Sequence, residues 1–270
     1  MPAKPKLGQN FLVDAHAVER IAAALGDISA RTVVEIGPGR GAITGLLAAR
    51  AKQVLAVELD RELAARLRAR FAAQRVTVVE QDVLKFDFAK TQAEFAPEGE
   101  RLRVVGNLPY YITSPILLKL AESHAALEMT VLMAQREVAD RVAAVPGSRD
   151  YGVLSVTAQM YGPVERLFTL PPAAFSPPPE VHSTVFRWRF APRFEELGVE
   201  EAGFLRFVRG VFAQKRKTLA NNLRAAGMAA ARVGAAMEQA GIDGRARAES
   251  LPVEALAALW REVDRGEPKR

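Results

Sequence analysis

The feature that most limits the fold of this 270-residue chain is the alternation of short β-branched runs with amphipathic stretches across its first two-thirds. RTVVEIG (31–37), QVLAVELD (53–60), VTVVEQD (76–82), LRVVGNL (102–108) and MTVLMAQ (129–135) read as strands, and GAITGLLAARA (41–51) and RELAARLRARFA (61–72) as helices. The strands are apolar along most of their length rather than at every second residue, so both faces are buried. Helices between such strands imply a parallel sheet covered on both sides. The expected fold is a doubly wound α/β domain.

After about residue 145 the pattern changes. VPGSRDYG interrupts it, PPAAFSPPPEVHS (171–183) is the densest proline cluster, and STVFRWRF (183–190) reads as a late strand with one aromatic face. From about 199 onward the chain reads as helical, with FLRFVRGVFAQKRKTLANNL, MAAARVGAAMEQAG and PVEALAALWREV as candidates. We therefore expect an α/β domain over 1–192 and a small all-helical domain over 193–270, with a linker near 191–198.

Several chemistries are disfavoured by composition. Without cysteine there is no disulfide, no thiolate nucleophile and no cysteine metal ligand. His16, His124 and His182 lie far apart and lack metal-ligand spacing, so no metal is expected. The segment MPAKPKLGQNFL is not followed by an apolar stretch of signal-peptide length, and no long apolar run suggests a membrane span. A cytoplasmic protein is expected. Net charge is +6, which favours a polyanionic partner through phosphate neutralisation.

The turn after the first strand, Glu35-Ile36-Gly37-Pro38-Gly39-Arg40-Gly41, leads directly into a helix. Glycines let the backbone approach a ligand while the helix N-terminus points at it. Glu58, about twenty residues on, ends the next strand, where a carboxylate can accept from both ribose hydroxyls. These features indicate a nucleoside-containing cofactor. Gly37, Gly39 and Ala42 also fit a dinucleotide pattern, so a nicotinamide cofactor stays open at this point. Pro38 between the glycines and Glu35 before them resemble instead the first motif of Rossmann-like methyltransferases. Asp82, at the end of the third strand, can accept from an adenine amine while the amide of Val83 meets the ring. Its alternative role is a helix N-cap.

The fourth strand ends in Asn107-Leu108-Pro109-Tyr110, at the carboxyl edge where α/β sheets place ligands. This tetrapeptide resembles the motif of methyltransferases that alkylate an exocyclic amine of adenine or cytosine. Such an amine is a poor nucleophile because its lone pair is delocalised into the ring. The Asn107 side-chain oxygen and a main-chain carbonyl around Leu108 or Pro109 can accept its hydrogens and favour the pyramidal nitrogen as charge develops. Proline fixes the local backbone, and Tyr110 can stack on a base held outside its helix. The bland alternative is a strand-to-loop turn with a packed aromatic.

With GQNFL at 8–12, EIGPGRG, VELD, QDVLKFD, NLPYYITSPI, QREVADR, FSPPPEVHS and QKRKTLANNL in order, the chain resembles the ribosomal RNA adenine dimethyltransferase family over essentially its whole length. The nearer likeness is to its small-subunit branch. The resemblance implies a Rossmann-like class I methyltransferase domain, S-adenosyl-L-methionine as cofactor, and dimethylation of two adjacent adenosines in a hairpin loop near the 3′ end of the small-subunit rRNA. It implies as partner that RNA or an assembling small ribosomal subunit, with a monomer as the default state. By the same likeness Asn10 and Leu12 touch the methionine part of the cofactor, and Gly37, Gly39, Glu58, Asp82, Val83 and Asn107 bind it or straddle it and the target. Phe175 forms a second stacking wall opposite Tyr110. Arg206, Arg209 and Arg216 fall in one sector if a single helix runs through them, flanked by Lys215 and Lys217, and suit RNA phosphates. Gln135, Arg136 and Arg141 carry no assignment. A large-subunit methylase of the antibiotic-resistance type and a non-catalytic nucleic-acid-binding relative remain as alternatives.

Overall fold

A computed structural model describes residues 10–96, 99–214 and 216–264. The chain forms two compact units, Met1–Ala139 with Val164–Phe190, and Asp140–Pro163 with Ala191–Arg270.

In the first unit the elements run β1 (Phe11–Leu12), α1 (Ala15–Ala24), β2 (Thr32–Ile36), α2 (Ala42–Arg50), β3 (Gln53–Glu58), α3 (Arg61–Arg70), β4 (Val76–Glu80), α4 (Phe88–Phe95), β5 (Leu102–Asn107), α5 (Thr113–Glu122) and β6 (Leu127–Gln135). The chain passes from the first unit to the second within α6 (Arg136–Val142), and α7 (Val153–Tyr161) belongs to the second. β7 (Val164–Leu170), β8 (Phe175–Ser176) and β9 (Ser183–Arg189) return to the first. The seven-stranded sheet has the order β4-β3-β2-β5-β6-β9-β7. β2 to β6 pair in parallel, and β9 is antiparallel to β6 and to β7.

The register explains the continuous apolar runs. Val34 pairs with Leu55 on one side and Val104 on the other, and all three are buried. Both faces of these central strands are covered, so no position in them can be polar without a partner. One face is packed with Ile21 of α1, Leu25 at its C-terminal end and Leu47 of α2 against Val33, Val54, Val105, Val131 and Val185. Helix starts are marked by side chains that accept from free backbone amides: Asp14 from Ala17, Asp60 from Glu62 and Leu63, and Asp87 from Lys90.

Strand β7 has no clear signature in the sequence. It is an edge strand with exposed Glu165 and Arg166, and its pairing with β9 shifts between Arg166 and Phe168, which breaks the two-residue alternation.

The second unit contains α7, α8 (Glu201–Val211), α9 (Leu219–Ala225), α10 (Ala230–Gln239) and α11 (Val253–Asp264). Its outline corrects the expected boundary, because 140–163 joins the helical unit instead of the sheet domain. Ala191 and Arg193 donate backbone bonds to Tyr161 and Met160, Tyr161 donates its hydroxyl to Glu201 at 2.6 Å, and its ring meets Phe194 edge-on. These ties are long-range in sequence and leave no local trace.

The single helix expected through Arg206, Arg209 and Arg216 is likewise corrected. α8 ends at Val211, and a turn precedes α9, whose N-cap is Thr218. Buried Asn222 holds that turn by accepting from the Gln214 amide at 3.1 Å and donating to its carbonyl at 3.3 Å.

Candidate active site

A cleft of about 850 Å³, open to solvent, lies at the carboxyl ends of β2, β3, β4 and β5. The strand order reverses between β2 and β5, so the loops leaving these neighbours diverge and open a crevice. Asn10, Gly37, Gly39, Glu58, Asp82, Val83 and the Asn107–Tyr110 corner all line it. Residues far apart in sequence are thereby brought to one site.

The glycine loop requires its glycines. Gly37 and Gly39 have φ of 63° and 57°, in the left-handed region, and a Cβ on Gly39 would come within 3.0 Å of the Phe11 ring. The Gly39 amide donates to Glu58 Oε2 at 3.1 Å, and the Asp60 amide to Glu58 Oε1 at 2.9 Å. Glu58 is buried, which raises its carboxyl above the usual range against the opposing pull of these amides.

Beneath the loop lies a second carboxyl. Glu35 is fully buried, accepts from Thr44 Oγ1 at 2.6 Å, and is pushed up to about 7 by burial, with the nearby Glu58 charge adding to the rise. Asp82 accepts from the Leu84 amide at 2.9 Å, so it is an N-cap while also lining the cleft.

At the Asn107 corner, the Asn107 Nδ2 group donates to the Asn10 carbonyl at 3.0 Å, and the Leu108 amide donates to Met133. Pro109 has φ −60° and ψ 128°, and its carbonyl accepts from the Ile112 amide at 3.2 Å and Thr113 Oγ1 at 3.1 Å. Among the described residues nothing donates to the Leu108 carbonyl. The Tyr110 hydroxyl shares a hydrogen bond of 2.9 Å with Ser183 Oγ, which fixes its ring at the wall.

Two expected site residues are elsewhere. Leu12 and Phe175 face each other across the β1–β8 ribbon, are 6% and 3% exposed, and belong to the core packed on the sheet. Neither is among the residues that line the cleft. Both are buried in the cluster that also holds Ala174 and Leu170. The cleft uses Phe11 instead, with the Arg40 guanidinium 4.3 Å from its ring centre. Leu59, Gln81, Tyr111 and Ile116 also line it and were not anticipated. Leu59, an apolar residue between two acids, was the one legible hint.

In the helical unit Arg206 and Arg209 are exposed on α8, and Arg216 and Lys217 are exposed in the turn after it. Lys215 lies outside the described residues, as do Gly8 and Gln9. Among the described residues no group of three or more histidines or carboxylates is arranged to hold a metal ion, and no helix is long and apolar enough to cross a membrane.

The family model described as ribosomal RNA adenine dimethylase matches residues 2–264. The chain belongs to the ribosomal RNA adenine dimethylase family. Similar proteins include the ribosomal RNA small subunit methyltransferase A of Acidobacterium capsulatum, 62% identical over 97% of this chain and 91% of the relative. The protein of the same name from Koribacter versatilis is 52% identical over 97% and 95%. Among solved structures, the 23S rRNA methyltransferase ErmE superposes with a TM-score of 0.72 at 28% identity, covering 94% of this chain and all of that one. A dimethyladenosine transferase from Plasmodium falciparum gives 0.80 at 22% identity over 94% and 98%, a likeness of fold. The relatives place this dimethylase with the small-subunit branch, and its cofactor is S-adenosyl-L-methionine. The nicotinamide alternative is thereby set aside. The residues fit the cofactor: a glycine loop with space for close approach, a ribose-type carboxylate at Glu58 and an acidic residue at Asp82 line one cleft.

Proposed function

We propose that this chain dimethylates the exocyclic amines of two adjacent adenosines in the 3′-terminal hairpin loop of small-subunit rRNA, acting as a cytoplasmic monomer on an assembling small subunit. The Asn107 corner carries the reading. Because Asn107 Nδ2 is committed to Asn10, its Oδ1 is left to accept. With the Pro109 carbonyl occupied, the Leu108 carbonyl is the second acceptor.

Gly37, Gly39, Glu58, Asp82 and Val83 hold the cofactor, with Asn10 and Phe11 covering it. When bound, S-adenosyl-L-methionine would supply an electrophilic methyl group on a sulfonium, whose methyl–sulfur bond breaks to leave the neutral thioether S-adenosyl-L-homocysteine as the new N–C bond forms. In the first transfer Asn107 Oδ1 and the Leu108 carbonyl accept the two amine hydrogens of the target adenine, and in the second one of them accepts the single hydrogen that remains. They favour a pyramidal nitrogen and stabilise the positive charge that grows there as its lone pair forms the new N–C bond. The methylated nitrogen then releases a proton to water, so no general base is required. Pro109 holds the corner rigid, and Tyr110 stacks on the extruded base. The chain's contribution is chiefly alignment, for which oriented reactants gain about 7 to 11 kcal/mol. Arg206, Arg209, Arg216 and Lys217, with Lys215 beside them in sequence, contact phosphates and position the RNA without reading it.

Mapping of methylated positions by reverse-transcription stops tests this reading. Stops at two neighbouring adenosines of the small-subunit 3′ hairpin support it, and a single stop in large-subunit RNA overturns it.

A further inference from the structure

Tyr111 is 59% exposed at the mouth of the cleft. A lone exposed aromatic side chain carries little information, since much of any protein surface is apolar. Here the location supplies it. Tyr111 lies in the 3₁₀ turn Tyr110–Ile112, which is braced by the Ile112 amide and Thr113 hydroxyl on the Pro109 carbonyl. Among the described residues no hydrogen bond, ion pair or ring contact engages its side chain. The structure therefore holds an aromatic ring on a rigid turn, in solvent, directly after the residue whose ring is tied to Ser183.

Successive side chains on a 3₁₀ turn point about 120° apart. Tyr110 and Tyr111 therefore cannot serve one base as two parallel walls, and Phe175, which the sequence suggested for that role, is buried. We infer that Tyr111 is a second stacking platform that takes the base adjacent in the strand to the extruded adenosine. Its ring holds the flanking nucleotide of the single-stranded loop at the mouth while the target base occupies the Tyr110 wall. Stacking of this kind tolerates any base, because every base has a π-face. Tyr111 is thus a substrate-positioning residue, separate from the groups that touch the reacting nitrogen. The inference rests on the proposed RNA-loop substrate.

The test compares wild type, Tyr111→Ala and Tyr111→Phe in methyl transfer to small-subunit particles lacking the modification, with cofactor affinity measured separately. Loss of one stacked base should raise the KM for particles in Tyr111→Ala about tenfold, lower kcat far less, and leave the cofactor Kd unchanged. Tyr111→Phe should restore KM, because the ring and not the hydroxyl does the stacking. An unchanged KM in Tyr111→Ala overturns the inference. So does a Phe variant as impaired as the Ala variant, or a parallel fall in cofactor affinity, which would place the ring on the cofactor. If wild type itself fails on these particles, the substrate reading fails and not the stacking role alone.

Discussion

The side-chain amide of Asn107 donates to the main-chain carbonyl of Asn10 at 3.0 Å, joining two residues 97 positions apart. A main-chain carbonyl can only accept, so this bond decides which end of the Asn107 amide faces the N-terminal segment and which end is left for a substrate. Asn10, directly before β1, therefore sets the orientation of the group that the proposed chemistry needs.

Replacing Asn107 with Ala removes that acceptor and should lower kcat by about 10²–10³, the scale for losing one preorganised polar partner of a developing charge. RNA binding, measured by filter retention, should change less than twofold. A variant with full activity would remove Asn107 from the mechanism. Asn107→Asp should also fail, because its carboxylate oxygen would face the Asn10 carbonyl.

Glu35 predicts a pH dependence of stability. Its folded carboxyl is raised from 4.5 to about 7, so the folded state holds a proton that the unfolded chain releases. The associated stability is fully present below pH 4.5 and is lost as pH rises through about 7. Glu35→Gln keeps an acceptor for Thr44 without the titration. In cofactor-free protein, its unfolding free energy should gain on wild type as pH rises from 5 to 8, by an amount on the order of 3 kcal/mol. A difference that does not vary with pH would contradict this.

Gly39→Ala should weaken cofactor binding at least tenfold, as read by calorimetry. A Cβ there adopts an unfavourable left-handed backbone, costing about 1–2 kcal/mol, and meets the Phe11 ring in the cleft wall. Unaltered affinity would show that the loop does not approach the cofactor closely.

Neutralising Arg206, Arg209, Arg216 and Lys217 together should weaken RNA binding and reduce the slope of log K against log salt by about 0.7–0.9 for each phosphate no longer neutralised. An unchanged slope would take these exposed side chains out of the interface.

Much of this molecule was legible in its sequence, for identifiable reasons. Val33, Val54 and Val105 are core residues in strands covered on both faces, and such strands advertise themselves as apolar runs. The glycine loop, Glu58, Asp82 and the Asn107 corner were legible because loop geometry and hydrogen-bond chemistry admit few residue types there. What escaped depends on distant pairing. Phe175 sits in a proline-rich loop, and its burial goes with a β8–β1 pairing that no local pattern announces. The break between α8 and α9 depends on one buried amide, Asn222, reaching back to Gln214, which helical periodicity does not reveal. β7 was hidden by its own bulge.

The most direct measurement is transfer of labelled methyl from S-adenosyl-L-methionine to small-subunit particles lacking the modification, with large-subunit particles as control. Label is expected on small-subunit particles alone, recovered as dimethyladenosine at two neighbouring positions and absent with Asn107→Ala. Label confined to large-subunit particles, or none on either with the cofactor bound, would contradict the proposed activity.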